Sequence, residues 1–514
     1  MKSILLFAFF FILTGLNAQT WSDNVASIVY SKCATCHHDG GIAPFSLMTY
    51  GEASAMSSAI HQAISDNIMP PYPPDANFQE YAHARLLSPT EKSSILSWID
   101  LGSLEGNAAN TPPQPVFNSG SILGNGDLEI RMPNYTSKAN GFDDYVCLSV
   151  PTNLTADRQV KAIEIVPGNR QIVHHCLVFL DETGNYVTDT IGGDCVGPNG
   201  GKLLMAYTPG ASPMVLPSSG GLKLGMNLTS GSNIVLSMHY PNGSAGLLDS
   251  TKVIFHFYPQ NETGIREVSV ASILENWNIA LPPNQVNTIT AQYPFSGTLP
   301  IDFSLLSVFP HMHNLGKEIK AYGLNSQGDT AKYIHIKDWD FHWQDFYFFK
   351  NIQKAEAGSV IKGYGIYDNT VNNPNNPNSP PQLVVAGENT NDEMFLIYFH
   401  YMLYQAGDEN YDLEALMSLG LEEFLNDKNS TFLAFPNPFD KSIEIRFKEN
   451  MDAKIALIYI YDMQGNLVKK INSIEEGKIT WDGKNELDKE VSSGTYILSA
   501  NLDGKLSHQT IIKK

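Results

Sequence analysis

The stretch Ile234-Val235-Leu236-Ser237-Met238, followed directly by His239-Tyr240, decides the fold of most of this chain. Its apolar and β-branched residues form a short run of the kind that is typical of a buried β-strand. Similar runs stand at 162–166 (Ala-Ile-Glu-Ile-Val) and 253–257 (Val-Ile-Phe-His-Phe), and Gly, Pro and Asn turns separate such runs from residue 128 to about residue 404. So many short strands predict β-sandwiches or jelly rolls.

The pattern changes on both sides of this strand-rich region. Residues 21–103 are helical in character, and Ser88-Pro89-Thr90-Glu91 is a capping box with proline at the first helical position. Residues 104–126, which are rich in Pro, Gly and Asn, predict a linker. From Phe435 the chain is again strand-like. We therefore predict a mainly β protein with a small α-helical domain in front.

Length, composition and charge exclude several classes of protein. A chain of 514 residues needs more than one core, and 43% hydrophobic with 17% charged residues is typical of soluble globular domains. The formal net charge is -20 and no Lys/Arg-rich run is present. Because such a chain cannot neutralise a phosphate backbone, we predict no nucleic-acid partner.

Residues 1–18 predict an export signal. Lys2 gives the positive start, residues 4–13 the apolar run and Asn17-Ala18 the small-residue exit. The run is too short to span a bilayer comfortably and no later stretch is long enough, so we predict no transmembrane span, with a membrane anchor as the less favoured alternative. Export places the five cysteines where thiols oxidise.

The helical segment carries a pattern for covalent haem attachment. Cys33-Ala34-Thr35-Cys36-His37 is C-x-x-C-H, in which two thioethers hold the haem and the imidazole reaches the iron. Met69, before two prolines, is the candidate for the opposite ligand, because a thioether there raises the reduction potential. The rivals for this position are Met48, Met56 and His61. A disulfide or a zinc ligand pair is the alternative for the cysteines. The segment resembles small class I cytochrome c domains, and that resemblance implies haem c.

Histidines fall in three groups within the strand-rich region. These are the pair His174-His175, the single His239 and the H-x-H of His311-Met312-His313. Residues two apart on a strand share a face, so His311 and His313 can bind one metal. Adjacent residues face opposite ways, so His174 and His175 can share a metal only at a strand end or bulge. Imidazoles with a thioether nearby, for which Met394 is the candidate, favour copper.

Together and in this order, the motifs resemble those of the copper type II, ascorbate-dependent monooxygenases. The motifs are His174-His175, His239-Tyr240, His311-Met312-His313 and Glu393-Met394. The resemblance implies two jelly rolls, at 127–262 and 263–425, and two coppers per chain. One copper would be held by His174, His175 and His239, and the other, catalytic copper by His311, His313 and Met394. It further implies dioxygen as co-substrate, ascorbate as a reductant and a disulfide between Cys147 and Cys195.

The chain departs from the family pattern at several positions. Phe309 stands where the peptide-amidating branch has an arginine, and Leu396 replaces an asparagine near the methionine, whereas Tyr398 matches. Phe395 and Gly365 stand where family members often carry a disulfide pair. These differences leave the substrate open, as a small organic molecule or a peptide. Cys176 has no evident partner and is expected to be a buried thiol.

The C-terminal stretch resembles type A sorting domains of type IX secretion systems. The resemblance rests on Phe435-Pro-Asn-Pro-Phe439, residues 460–465, Trp481-Asp-Gly483, Gly494-Thr-Tyr496 and Lys513-Lys514. It implies a small β-sandwich at 434–514, type IX secretion machinery as a partner, and a secreted or cell-surface protein. An immunoglobulin-like spacer or a carbohydrate-binding module is the alternative.

The sequence thus predicts an exported copper monooxygenase that receives electrons through a fused c-type haem, ascorbate or both. The alternative is a non-enzymatic cell-surface protein that binds copper and transfers electrons.

Overall fold

The computed structural model describes residues 19–513, apart from short gaps. The gaps are 116, 118–119, 192–194, 196, 199, 219–220, 388, 390, 430–431, 436–438, 440, 448–456, 463–466, 472–477, 493 and 503–504. The predicted signal at 1–18, the Pro436–Pro438 part of the sorting motif, residues 463–465 and Lys514 lie outside the described residues. No helix within the described ranges is long and apolar enough to cross a membrane.

The N-terminal segment is helical, as predicted. Its elements are a π-helix Trp21–Val25, α1 Ala26–Lys32, α2 Tyr50–Ala55, α3 Ser57–Ser65, α4 Pro89–Asp100 and a 3-10 helix Ala108–Asn110. The capping box at the start of α4 is present, with Ser88 and Glu91 bonding reciprocally to the first turn. Trp21 and Trp98 form the buried centre of a small apolar cluster.

Two sheets form the first sandwich. Its strands are β1 Leu128–Arg131, β2 Tyr135–Thr136, β3 Asp144–Pro151, β4 Arg158–Val166, β5 His175–Asp181, β6 Lys202–Tyr207, β7 Met214–Val215, β8 Leu224–Leu228, β9 Asn233–Tyr240, β10 Leu248–Asp249, β11 Lys252–Phe257 and β12 Arg266–Glu267. One sheet has the order β1-β11-β4-β8-β12, with β7 beside β4, and the other has the order β3-β9-β5-β6. Apolar side chains from both sheets form one core.

The second sandwich repeats this two-sheet plan. Its strands are β13 Ser269–Glu275, β14 Ala280–Leu281, β15 Val286–Tyr293, β16 Phe303–His311, β17 Gly316–Leu324, β18 Thr330–Ile336, β19 Tyr347–Ala355, β20 Val360–Asp368, β21 Val384–Val385 and β22 Leu396–Leu403. The sheet orders are β13-β22-β16-β19 and β15-β20-β17-β18. Because β12 still pairs with β8, the chain passes from one sandwich to the other between Glu267 and Ser269.

A helix and a small β unit complete the chain. A 3-10 turn Asp408–Asn410 leads into α5 Leu413–Asn429, and the strands after it are β23 Phe432–Phe435, β24 Ile443–Phe447, β25 Leu457–Asp462, β26 Leu467–Ile471, β27 Lys478–Trp481, β28 Gly494–Leu502 and β29 Lys505–Lys513. They form the sheets β23-β24-β27 and β26-β25-β28-β29 around a core of their own. The predicted mainly β fold class is confirmed.

The two large sandwiches share a buried boundary. Leu306, Ile352 and Met402 of the second sandwich join the apolar core of the first. His400 crosses the boundary, with Nε2 3.2 Å from the Leu204 carbonyl and Nδ1 2.7 Å from Ser307 Oγ. Buried, packed side chains of both sandwiches therefore form the base of the cleft between them.

Residues 74–85 of the helical segment run along the second sandwich. Pro74 bridges to Ile336 and Tyr81 to Phe349, and the Tyr81 hydroxyl donates to the Tyr333 carbonyl at 2.7 Å. The predicted linker also packs, since Ile122 and Leu123 donate backbone N–H bonds to the buried Glu164 carboxylate. The first of these contacts holds the helical segment against the second sandwich, and the second holds the end of the linker against the first sandwich.

Candidate metal centres

The first histidine cluster lies where two paired strands of the first sandwich reach the cleft. His175 opens β5 and is the register partner of His239 on β9, and the His174 backbone N–H donates to the His239 carbonyl at 3.0 Å. His174 lies just before the strand begins. The alternation of a pleated strand therefore does not force the side chains of His174 and His175 to opposite faces. One ligand atom from each of these three residues lies within 4.8 Å of the others. The predicted strand-end arrangement of His174 and His175 is therefore what the structure shows.

The hydrogen bonds of this cluster leave nitrogen lone pairs free. His239 Nε2 lies 2.9 Å from Asp143 Oδ2, so His239 donates there and its Nδ1 keeps a lone pair. That Nδ1 is 3.1 Å from His175 Nδ1, and His174 Nδ1 is buried with no hydrogen-bond partner among the residues that the structure describes. An orphaned ring nitrogen beside two converging ones fits a metal ion.

Burial keeps these imidazoles neutral, which is the form that binds metal. Burial lowers the pKa of His174 to about 4 and holds the pKa of His175 well below its usual value. For His175 the neighbours His239, His174 and His311 disfavour the cation further. His239 is fully buried, and the Tyr145 ring stacks on it at 4.4 Å.

The second cluster lies in the second sandwich. His311 ends β16 and His313 lies two residues on, with ring centroids 5.0 Å apart. His311 Nδ1 is 2.5 Å from Gln344 Oε1, and His313 Nδ1 is 3.1 Å from the Asp392 carbonyl. Both Nε2 atoms are thus left for a ligand, and burial lowers the pKa of His313 to about 3. Met394 lines the same cleft as these two histidines.

Glu393 holds the two halves of this second cluster together. Its side chain is fully buried and accepts backbone N–H bonds from His313 at 2.9 Å, Leu315 at 2.6 Å and Met394 at 3.2 Å. Burial raises the pKa of Glu393 to about 8, against the opposing effect of these bonds. One carboxyl group therefore ties the His313 turn to the Met394 segment.

Both clusters border one cleft of about 650 Å³ between the sandwiches. His175 lines it from the first sandwich, and His311, His313 and Met394 line it from the second. Its aromatic lining is Tyr145, Phe179, Trp277, Phe309, Phe341 and Tyr398. The lining residues with charged side chains are Lys202, which pairs with Glu182 at 2.9 Å, and the exposed Glu275.

The C-x-x-C-H motif lies in a turn after α1. Cys33 and Cys36 are half-buried free thiols, and burial raises the pKa of Cys33 to about 12. His37 Nδ1 is 3.0 Å from the Phe45 carbonyl, which leaves Nε2 available. Met69 is 42% exposed, so its side chain is not part of the core. The donor set fits a c-type haem through Cys33, Cys36 and His37.

The other cysteines agree with the disulfide that the resemblance implied and with the expected buried thiol. Cys147 and Cys195 form a disulfide, and Cys176 is a buried free thiol. A Cβ placed on Gly365 would come within 3.0 Å of the Phe395 ring. The two positions that lack cysteine are therefore neighbours, and the Phe395 ring fills the space between them.

Several residues at these centres escaped sequence reasoning. Asp143 and Gln344 carry no motif that marks them, because each meets its histidine from a distant part of the chain. Glu393 stands inside the Glu-Met motif, but its bonds to the His313 turn are tertiary. Tyr145 and His342 approach the first cluster only in the folded chain.

Two family models match this chain. Residues 263–428 match the copper type II ascorbate-dependent monooxygenase C-terminal domain, and residues 433–514 match the secretion system C-terminal sorting domain. The chain therefore carries a C-terminal domain of the copper type II ascorbate-dependent monooxygenase family, followed by a sorting domain. The sorting domain indicates export to the cell surface or secretion.

Similar proteins agree with these domains over parts of the chain. Tyramine beta-hydroxylase of Caenorhabditis briggsae is 24% identical over 290 residues, which are 52% of this chain and 45% of that protein. The chain thus spans less than half the length of this curated relative. Among solved structures, PorZ of the Porphyromonas gingivalis type-IX secretion system is 14% identical over 26% of this chain and 15% of its own, with a TM-score of 0.15. CopC from Methylosinus trichosporium OB3b is 16% identical over 16% of this chain and 90% of its own, with a TM-score of 0.13.

Proposed function

We propose that this protein is an exported copper monooxygenase that uses dioxygen to hydroxylate a C–H bond of a small organic substrate. The observation that carries the proposal is the pair of neutral histidine clusters facing one cleft, with a methionine beside the second. The family match of residues 263–428 and the tyramine beta-hydroxylase relative support it. Bound copper would supply the one-electron chemistry and the activation of dioxygen.

The first copper would be held by His174, His175 and His239. These residues offer nitrogen atoms that are already desolvated and close together. Asp143 fixes the tautomer of His239 by accepting its Nε2–H, and the Tyr145 ring limits the tilt of the same imidazole. The site is therefore preorganised by groups that do not touch the metal.

The second copper would be held by His311, His313 and Met394. Gln344 and the Asp392 carbonyl bond to the Nδ1 atoms of the two imidazoles, so that their Nε2 atoms remain for the metal. A thioether is a soft ligand that favours Cu(I), the state that reacts with dioxygen. For this reason we assign the catalytic role to this site.

The lining of the cleft favours an aromatic substrate without a carboxylate. Phe309 stands among other rings, and Lys202, whose charge Glu182 offsets, is the cationic residue of the lining. Among the lining residues that the structure describes, a peptide carboxylate would meet no unpaired cation. Glu275 and Trp277 offer a carboxylate and a ring that can receive an ammonium group. We therefore propose an arylalkylamine, which carries its ammonium group on an alkyl chain, as the substrate class.

We propose that electrons reach the copper sites through the c-type haem segment, ascorbate or both. The haem motif contacts the first sandwich, with Cys36 Sγ 3.7 Å from the Pro209 carbonyl, which also accepts from Arg85 at 3.1 Å. Gly210 has a φ of 81°, and a Cβ there would come within 3.2 Å of Cys36 Sγ, so glycine permits this approach. The contacted turn follows β6, whose Tyr207 pairs with Cys176, next to His175.

The alternative function is a cell-surface protein that binds copper and transfers electrons without hydroxylating a substrate. The two functions differ in whether the second site, with its methionine, performs dioxygen chemistry. Met394→Leu separates them, because leucine nearly matches the volume of methionine but cannot donate a sulfur lone pair. Met402→Leu is the matched control, since Met402 is buried on β22 away from the cleft.

The test supplies labelled dioxygen and a reductant to the copper-loaded proteins, with tyramine, a neutral analogue and a carboxylate analogue as substrates. We expect labelled hydroxylated product from the parent and from Met402→Leu, with the amine preferred. Met394→Leu should hydroxylate more slowly by orders of magnitude while the first copper is still reduced. Equal hydroxylation by Met394→Leu would refute the catalytic assignment, and no oxygen consumption by the parent would favour the electron-transfer protein.

A further inference from the structure

A fourth histidine from the opposite side of the cleft approaches the first cluster. His342 belongs to the second sandwich, in the loop between β18 and β19, whereas the cluster belongs to the first. The His342 ring centroid lies 5.7 Å from that of His174, and the two rings are nearly perpendicular, at 83°. The approach adds a histidine to the contacts of this loop with the first sandwich, which include Thr208 Oγ1 at 3.4 Å from Asp345 Oδ2.

Asp340 orients the His342 ring as carboxylates orient metal ligands. Asp340 Oδ1 accepts the His342 backbone N–H at 2.9 Å and lies 3.1 Å from Nδ1. A proton held on Nδ1 by this carboxylate leaves the lone pair on Nε2. The side chain is 55% exposed, so it can adjust its position without disturbing the core.

The first cluster offers three nitrogens, whereas oxidised copper favours four donors in a tetragonal arrangement. We propose that His342 is the fourth nitrogen donor to Cu(II) bound by His174, His175 and His239. This inference rests on the proposed function, because it assumes copper at that cluster. It makes the first site a shared site of both sandwiches.

The loop that carries His342 also holds the second site. Gln344 bonds to His311 Nδ1, and the Phe341 ring lies 5.6 Å from the His313 ring. Copper that is bound by His342 as well as by the first cluster would therefore fix the position of this loop. Because the loop orients His311, the metal in the first cluster would also affect the orientation of His311. The contacts of Gln344 with His311 and of Phe341 with His313 are sufficient for this link.

The test uses the full chain with His311→Ala and His313→Ala, so that copper binds at the first cluster alone. Cu(II) is added, and its nitrogen donors are counted by pulsed electron paramagnetic resonance while its affinity is measured by chelator competition. His342→Ala should remove one histidine nitrogen and weaken Cu(II) binding about 10-fold or more, the range seen when the surroundings of metal ligands are altered. Cu(I) affinity should change less, because reduced copper accepts fewer donors.

Two further variants make the result specific. His335→Ala removes another histidine of the second sandwich, one that pairs with Glu318, and should change neither the nitrogen count nor the affinity. Asp340→Asn keeps the His342 ring but weakens its orientation, and should lower Cu(II) affinity by less than His342→Ala. An unchanged nitrogen count and affinity in His342→Ala would overturn the inference and leave the proposed function intact. A failure of the background protein itself to bind copper would overturn both.

Discussion

Glu393→Gln tests whether a single buried carboxyl group holds the second site together. Both carboxyl oxygens of Glu393 receive backbone N–H bonds, from His313 and Met394 at Oε2 and from Leu315 at Oε1. Above pH 8, where the Glu393 carboxyl is ionised, both of its oxygens accept, whereas glutamine has nearly the same shape but only one accepting oxygen, since its amide nitrogen can only donate. Whichever way the amide turns, at least one backbone N–H faces another donor.

The loss of local stability follows from the number of polar groups that the substitution leaves without a hydrogen-bond partner. An unsatisfied buried polar group costs about 1 to 3 kcal/mol, and here one backbone N–H and the new amide group both lose partners. The structure therefore predicts that the turn at 313–316 is destabilised by roughly 2 to 6 kcal/mol. Because 1.4 kcal/mol corresponds to a factor of ten, local opening should become at least about 30-fold more frequent.

Hydrogen–deuterium exchange of the full metal-free chain measures this directly, in peptides that contain the His313 and Leu315 amides. Copper titration of the same variant should show weakened binding at the second site and unchanged binding at the first. Glu318→Gln is the matched control, because Glu318 bonds to His335 and Tyr364 through one oxygen that glutamine retains. Its cost should stay below about 1 kcal/mol.

Exchange of the 313–316 amides in Glu393→Gln within threefold of the parent rate would refute this reasoning. It would mean that the turn does not depend on the Glu393 carboxyl. Loss of copper from the first cluster would contradict the assignment of Glu393 to the second site alone.

The remaining predictions concern pH and haem. Burial lowers the pKa of His174 to about 4 and of His313 to about 3, so the unfolded chain binds protons below pH 6.5 that the folded chain does not. The stability of the metal-free protein is thus fully present above pH 6.5 and should fall towards pH 4, by up to about 1.4 kcal/mol per pH unit for each histidine, as urea unfolding at several pH values can measure. Expressed with a c-type maturation system, the parent should show covalent haem that Cys36→Ser removes, and an absence of haem in the parent would contradict the motif. Met69→Ala should keep the haem but lower its reduction potential, and an unchanged potential in a redox titration would assign the opposite ligand to another residue.

Local patterns in the sequence were sufficient for much of the fold. Short apolar runs such as 234–238 predicted strands because a run of this length and composition is typical of a strand buried in a core. The capping box at Ser88 predicted the start of α4 because its side-chain bonds are formed within four residues. The sequence also predicted that His174 and His175 lie at a strand end or a bulge, since only there can neighbours share one metal, and the structure places them at a strand end.

The sequence could not predict contacts between distant segments. The composition of residues 104–126 predicts a linker. In the structure, Ile122 and Leu123 donate backbone N–H bonds to the Glu164 carboxylate, and no local pattern reveals this contact. Likewise, the run at 74–85 carries no sign that it follows the second sandwich, because its partners at 333–349 are some 250 residues away.

The sequence by itself therefore determined the mainly β fold class, and it predicted the order of the modules and the residues that would bind copper and haem. These follow from period, turn chemistry and ligand spacing, which are properties of a few neighbouring residues. Only the tertiary structure decided that both histidine clusters face one cleft, that Asp143 and Gln344 orient them, and that His342 reaches across. Each of these depends on how two sandwiches pack, because a side chain's partner across a cleft is set by the sum of many contacts and not by its own place in the chain.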